Sequence, residues 1–427
     1  DSKSATMLDI ENDGDLDVVV INNSDAHQVY VNDGSARFNV QTRGLENFRS
    51  PSSSFQGVAS GDMNKDGYQD LVLVHSNGMY VIRNDGNGYF TNATTLSVSN
   101  KANSPTLMDM DNDGDLDIFV GQAEGTRVEV FRNDGNNSYS NVSSQAALSL
   151  QTFGVLPGDW NNDGFVDLFA IDKNSTGKLF INDGSGRFSE KQGTGVEAQF
   201  ADGRGAVTFD VNDDGRLDIY ATSRGGYAVD DDTREEKPYN RNFLFRNEIA
   251  SGRNYLKVKI LNDYDQVVGW GNKVYVYRGG SLDNPSGLLG YREIVSSSGF
   301  NSQSSLIQHF GVGSESTVDV KIVLPDGSGK NYTGVPTNQT MIVRPVQVVP
   351  DRLVSDFDDS QPAIAGQVYP LAYKVLSAEQ EPVPDYPVTF EILAGNGSLD
   401  PNSSLSIKTV NTDQNGRAIV DWILGPV

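Results

Sequence analysis

Asp9-Ile10-Glu11-Asn12-Asp13-Gly14-Asp15-Leu16-Asp17 returns four more times along the chain, in copies that begin at Asp62, Asp109, Asp159 and Asp210. The spacings of 53, 47, 50 and 51 residues are close to constant, which chance clustering of aspartate would not produce. An apolar run follows each copy: Val18 to Ile21, Leu71 to Val74, Ile118 to Val120, Leu168 to Ile171 and Ile219 to Ala221. These read as buried strands. Each repeat then supplies a second run that ends in a turn, as in Val29-Tyr30-Val31-Asn32-Asp33-Gly34 and Leu179-Phe180-Ile181-Asn182-Asp183-Gly184. Asn-Asp-Gly is hairpin chemistry, with glycine taking positive φ. An aromatic at Phe38, Phe90, Tyr139 or Phe188 opens a further short strand. About four strands in each repeat is the arithmetic of a β-propeller blade. No segment shows a long amphipathic helical period, so the repeat region is read as all-β.

The same residues resemble the FG-GAP and VCBS repeats of integrin-like propellers. Phe153-Gly154-Val155-Leu156-Pro157-Gly158-Asp159 carries the Phe-Gly signature ahead of its loop, and Phe55-Gln56-Gly57-Val58-Ala59-Ser60-Gly61-Asp62 is a close variant. The resemblance spans residues 1–250. Five repeats are visible, whereas such propellers often have seven blades: either the ring is five-bladed, or blades lie upstream or in divergent sequence.

The loops have the composition of a calcium site. Ca²⁺ takes six to eight oxygens, and alternate residues of a tight loop can aim carboxylates inward. Positions 1, 3, 5 and 9 supply the side chains: Asp9, Glu11, Asp13, Asp17; Asp62, Asn64, Asp66, Asp70; Asp109, Asp111, Asp113, Asp117; Asp159, Asn161, Asp163, Asp167; and Asp210, Asn212, Asp214, Asp218. Position 7, held by Asp15, Tyr68, Asp115, Phe165 and Arg216, offers a backbone carbonyl, and glycine at position 6 allows the sharp turn. An EF-hand would need glutamate at position 12 and a following helix, but a strand follows at once. Plain Asx turns need one or two such residues, not four in fixed register. About five Ca²⁺ ions are expected, and with so many acids in small loops their binding should be part of the folding free energy.

Composition narrows the partners. Asp plus Glu number 57 against 33 Lys plus Arg, a formal charge of -24, which repels nucleic acid and anionic membranes. No cysteine is present, so disulfides and thiolate metal sites are excluded. An animal extracellular protein of this size would usually carry some, so a bacterial or archaeal exported protein fits better. No apolar run is long enough for a membrane-spanning helix. A secreted or cell-surface location is expected, with any export signal removed or upstream.

Beyond Asn254 the pattern alternates, as in Asn254-Tyr255-Leu256-Lys257-Val258-Lys259 and Gly269-Trp270-Gly271-Asn272-Lys273-Val274-Tyr275-Val276-Tyr277. Ser298-Gly299-Phe300-Asn301-Ser302-Gln303, His309-Phe310-Gly311-Val312-Gly313 and Val320-Lys321-Ile322-Val323-Leu324-Pro325-Asp326-Gly327 follow in the order of the ASPIC and UnbV module, which this segment resembles, although Trp270 and Leu324 depart from its usual residues. After Pro345 and Pro350, Val388-Thr389-Phe390-Glu391-Ile392 and Ala418-Ile419-Val420-Asp421-Trp422 read as strands, and the turn Thr412-Asp413-Gln414-Asn415-Gly416-Arg417-Ala418 with the preceding Gly395-Asn396-Gly397-Ser398-Leu399 resembles a bacterial Ig-like, invasin-type domain. The expected organisation is a propeller over 1–250, a β module over 251–347 and an Ig-like sandwich over 348–427.

The chain has only three histidines, His27, His75 and His309, and none sits in a recognisable catalytic context. The reading is therefore a binding or adhesion scaffold for a glycan or protein. A self-assembling component of a sheath or filament, or a glycan-processing enzyme, is the alternative. In the blade connectivity that the propeller resemblance implies, the metal loops join first to second strands and share one face, and the irregular insertions emerge on the other. On that face Arg204, Tyr227 and Tyr239 are the expected ligand contacts, with Phe48 and Phe200 nearby, because aromatic and arginine side chains anchor interfaces.

Overall fold

The computed structural model describes every residue except 1, 24, 49–53, 77, 100–101, 174–175, 199, 201–202, 224–241, 250, 262–266, 268, 297–299, 301, 304, 345–351, 356–364, 366, 377–381, 384–385, 393–395, 402–403, 414–415 and 425–427. Each repeat forms its own antiparallel sheet, in sequence order from first strand to last. The first comprises Ser2–Leu8, Asp17–Asn22, Gln28–Asn32 and Phe38–Gln41; the second comprises Phe55–Gly61, Asp70–His75, Gly78–Asn84 and Phe90–Leu96. The third comprises Ala102–Met108, Asp117–Gln122, Glu129–Asn133 and Tyr139–Asn141, and the fourth Leu156–Gly158, Asp167–Ile171, Gly177–Asn182 and Phe188–Lys191. Three strands of the fifth are described: Gly203–Phe209, Asp218–Ser223 and Phe243–Phe245.

Successive sheets stack face to face, as propeller blades do, and this explains the continuous apolar runs. Leu71 and Leu73 of the second sheet pack with Leu8, Val19 and Val29 of the first, while Val72 and Val74 on its other face pack with Ile118, Val120 and Phe131 of the third. Phe119 and Val130 then meet Leu168 and Phe180 of the fourth sheet, whose Phe169 and Leu179 meet Ile219 and Ala221 of the fifth. A strand covered on both faces has no polar side to alternate with.

Residues 254–343 build two further sheets. Gln308–Gly313, Asn254–Ile260 and Gln339–Val343 form one, the last two strands parallel; Leu288–Glu293, Lys273–Arg278, Thr317–Val323 and Gly329–Pro336 form the other. Leu256, Val258, Val274, Val276, Phe310 and Val320 are among the residues of the core they share. This module belongs to the same compact unit as the repeats, Asp1–Pro345. The connection between Glu293 and Gln308 reaches into the repeats: Ser296 Oγ lies 2.9 Å from Thr6 Oγ1, and Phe300 packs on Phe153 at 4.9 Å between ring centroids.

Val346–Val427 is a second compact unit. Arg352–Ser355, Val368–Leu376 and Arg417–Ile423 pair in one sheet and Pro387–Glu391 with Ile407–Asn411 in another, around Val375, Phe390, Leu399 and Val420.

Candidate metal-binding row and its cover

In all five repeats the nine-residue loop is the hairpin between first and second strands. Position 9 opens the second strand, opposite the last residue of the first: Leu8 faces Asp17, Gly61 faces Asp70, Met108 faces Asp117, Gly158 faces Asp167 and Phe209 faces Asp218. The position-1 carboxylate closes the turn by accepting the N–H groups of positions 5 and 6, as Asp159 does from Asp163 at 3.1 Å and Gly164 at 2.8 Å. The position-5 carboxylate accepts the N–H of position 7, from Asp15, Tyr68, Asp115, Phe165 and Arg216. Position 6 is glycine with φ between +81° and +98° in every loop.

Position 9 also anchors the sheet. One oxygen accepts the N–H of position 2 and the other accepts an N–H at the end of the third strand or just beyond it, as Asp117 does from Met110 at 2.9 Å and Asn133 at 2.8 Å. The same asparagine reaches across to the preceding repeat. Asn84 Nδ2 donates to Ile10 O, Asn133 to Met63 O, Asn182 to Met110 O and Asn247 to Trp160 O, at 2.7 to 2.9 Å. In the sequence these asparagines look like turn residues only; the signal for this second role is that Asn84, Asn133 and Asn182 recur about 15 residues after position 9 of their loops, whereas Asn247 follows its loop at almost twice that distance. Position 4 adds another link: Asn12, Asn112 and Asn162 donate to the carbonyl of the next loop's position-6 glycine, and Lys65 pairs with Asp115 at 2.9 Å.

The donor set fits a hard dication. Ligand oxygens of Asp109, Asp111 and Asp117 lie within 4.8 Å of one another, and Asp111 Oδ1 is buried without a hydrogen-bond partner. Burial, followed by repulsion from Asp113, pushes Asp109 up to about 7; burial likewise lifts Asp9 to about 6, Glu11 to about 7, Asp70 to about 8 and Asp159 to about 7. Carboxylates gathered out of water resist ionising together.

The 254–343 module lies against these loops and brings cations to them. Lys273 pairs with the fully buried Oδ2 side of Asp62, and Lys257 Nζ lies 2.9 Å from Asp210 Oδ2 and 2.8 Å from Asp213 Oδ1. Glu293, on the neighbouring strand, accepts the N–H of Asp62 at 3.0 Å and the amide of Gln69 at 2.7 Å. His309 joins its Nε2 to Gly215 O at 3.1 Å and stacks on Tyr255. Beside it the strand runs so close to the fourth loop that a Cβ on Gly311 would sit 2.0 Å from Asp159 Oδ2.

Comparison with known families places both segments. The FG-GAP-like repeat family matches residues 9–73, 62–120, 109–170 and 159–221, and the ASPIC and UnbV family matches 266–349. The chain carries FG-GAP-like repeats followed by an ASPIC and UnbV module. Cartilage acidic protein 1 of Xenopus tropicalis is 25% identical over 249 residues, 50% of this chain and 38% of that protein. The T-cell immunomodulatory protein homolog of Plasmodium yoelii yoelii is 26% identical over 202 residues, 38% of this chain and 29% of that protein. The chain thus spans less than two fifths of either relative. Among solved structures, an Agrocybe aegerita lectin recognising non-reducing terminal N-acetylglucosamine is similar over 77% of this chain and 79% of its own, at 17% identity and a TM-score of 0.35, too low to bear on function.

The residues expected to meet a ligand fall apart in the FG-GAP-like repeats. Tyr227 and Tyr239 lie outside the described residues. Arg204 is half-buried with its guanidinium 4.2 Å above the Phe153 ring, and Phe48 packs against Tyr80. Phe200 is a correction: it is wholly buried against Phe243, because its ring belongs to the apolar core between the fourth and fifth sheets.

Proposed function

We propose that the protein is an extracellular binding or adhesion scaffold whose FG-GAP-like repeats are held rigid by calcium in five loops, and which recognises a glycan or protein. The observation that carries this reading is the fivefold recurrence of one loop geometry, with positions 1, 3, 5 and 9 in the same register and three carboxylates of the third loop, Asp109, Asp111 and Asp117, already gathered together. Ca²⁺ would supply charge neutralisation to Asp9, Glu11, Asp13 and Asp17 in the first loop and to the matching sets in the other four. The ions serve structure in this reading, not catalysis: a hydrolytic metal needs an open position and a labile water, whereas these loops offer enough oxygens to saturate calcium. His309 supports a binder over an enzyme, since its Nε2 is spent on Gly215 O.

The ligand would meet the connections on the side away from the loops, because the ASPIC and UnbV module already lies against the loop side. The unit from Val346 onward acts in this reading as an Ig-like spacer. Calcium content after exhaustive dialysis, with a glycan and cell-surface binding screen run with and without calcium, tests the proposal. Metal-free protein with an unchanged melt in chelator would refute the calcium part. Capture that does not respond to calcium would separate the ligand site from the loops.

A further inference from the structure

A cavity of about 270 Å³ lies between the third, fourth and fifth repeats and the ASPIC and UnbV module. One wall is apolar, built from Leu107, Leu116, Val166, Leu217 and Ile307. Arg292 also lines the cavity, on the strand Leu288–Glu293, with its guanidinium 5.1 Å from the Phe310 ring centroid. Its only hydrogen bond among the described residues runs from Nη1 to the carbonyl of Tyr291, at 2.8 Å. An arginine carries five N–H donors in a planar fork, so most of this one is uncommitted.

The other charged groups of the wall are already paired. Lys257 is held by Asp210 and Asp213, and Glu293 by the Asp62 N–H and Gln69. Asp159, and Asp109 just behind the wall, attract Arg292, yet each directs its oxygens to N–H groups of its own loop, at 2.8 to 3.2 Å, and no ion pair links either to the guanidinium. The cavity therefore combines an unspent forked cation with an apolar surface in a space near the lower bound for small-molecule pockets, about 300 Å³.

We propose that this cavity binds a small organic carboxylate, its two oxygens on the fork of Arg292 and its apolar body against Leu116, Val166, Leu217 and Ile307. Bidentate guanidinium–carboxylate pairing is strong and geometrically selective, and the apolar wall rejects inorganic anions, which would leave it empty. The inference is independent of the calcium reading.

The test titrates the full chain by calorimetry with 2-naphthoate and with the neutral 2-naphthamide, which has the same shape. The carboxylate should bind at least tenfold more tightly than the amide. Arg292→Met should bring that ratio close to one. Ile307→Trp, which keeps the arginine and fills the space, should abolish binding of both while the melting transition persists. Equal binding of the two probes, absence of saturable carboxylate binding, or a ratio unaltered by Arg292→Met would each overturn the proposal, and the first two need no variant to fold.

Discussion

Lys257 places its ammonium 2.9 Å from Asp210 Oδ2, joining a strand of the ASPIC and UnbV module to position 1 of the fifth loop; both side chains are at least nine-tenths buried. A buried charge left without its partner is costly. Lys257→Met should therefore lower stability by about 3 kcal/mol, read by urea denaturation in chelator. A loss near that of an exposed ion pair would show that the second partner, the 90% exposed Asp213, dominates the contact.

The third loop separates ligand positions from framework ones. Asp113 stands at position 5 and Asp115 at position 7, where only the carbonyl would ligate and the side chain pairs with Lys65. Asp113→Ala should reduce calcium-dependent stabilisation much more than Asp115→Ala does, measured as the difference in melting temperature with and without calcium. Equal losses would refute the assignment of positions.

The raised carboxylates give the metal-free protein an inverted pH response. Asp9, Glu11, Asp70, Asp109 and Asp159 hold protons in the fold up to about 6 to 8, whereas in the unfolded chain they release them near pH 4. Between those values the native state binds more protons, so stability falls as pH rises. His309, lowered to about 4 by burial, acts in the opposite direction between its folded value and about 6.5, since there the unfolded chain binds the extra proton. The acid trend is thus cleanest above pH 6.5. In chelator the melting temperature should drop from pH 6.5 to 8, and calcium should raise it most at pH 8. A melt that rises over that range in chelator would contradict these shifts.

Asn182 ties two repeats together. Its Nδ2 serves Met110 O at 2.7 Å and Val166 O at 3.0 Å, and the residue is 1% exposed. Asn182→Ala leaves both carbonyls without this donor and should cost about 1 to 3 kcal/mol. Asn182→Asp, similar in size but acceptor-only when ionised, should cost at least as much at neutral pH. A neutral Asn182→Ala would mean water replaces the amide.

The unit Val346–Val427 has its own core around Val375, Phe390 and Val420 and none of the nine-residue loops. Expressed alone, it should give a β-type circular dichroism spectrum and a cooperative melt indifferent to chelator. A disordered spectrum would show that its core does not suffice.

The sequence carried the repeats clearly because their logic is local. Positions 1, 5, 6 and 9 are fixed by hydrogen bonds within nine residues, so spacing alone exposes them. The register of Asp17 against Leu8 or Asp117 against Met108 follows from the same loop. Lys273 and Lys257 were illegible for the opposite reason. Their partners lie 211 and 47 positions away, and a lysine in an alternating strand reads as a solvent-facing residue. Phe200 misled because an isolated aromatic between repeats has no periodicity to say which way it turns. The strands Leu288–Glu293, Gly329–Pro336 and Gln339–Val343 leave little trace in the sequence, since the first is interrupted by glycine and the other two are largely exposed.

The links through position 4 give the row of loops a direction. Asn12, Asn112 and Asn162 each hand an amide forward to the following glycine carbonyl, and Lys65 hands a charge forward to Asp115. The fifth loop breaks the series: it carries Asp213, and what meets it is not another repeat but Lys257. The row thus has a punctuation mark. Recombination could duplicate an asparagine-bearing repeat inside the array and keep every handshake. A copy inserted after the fifth would separate Asp213 from its lysine.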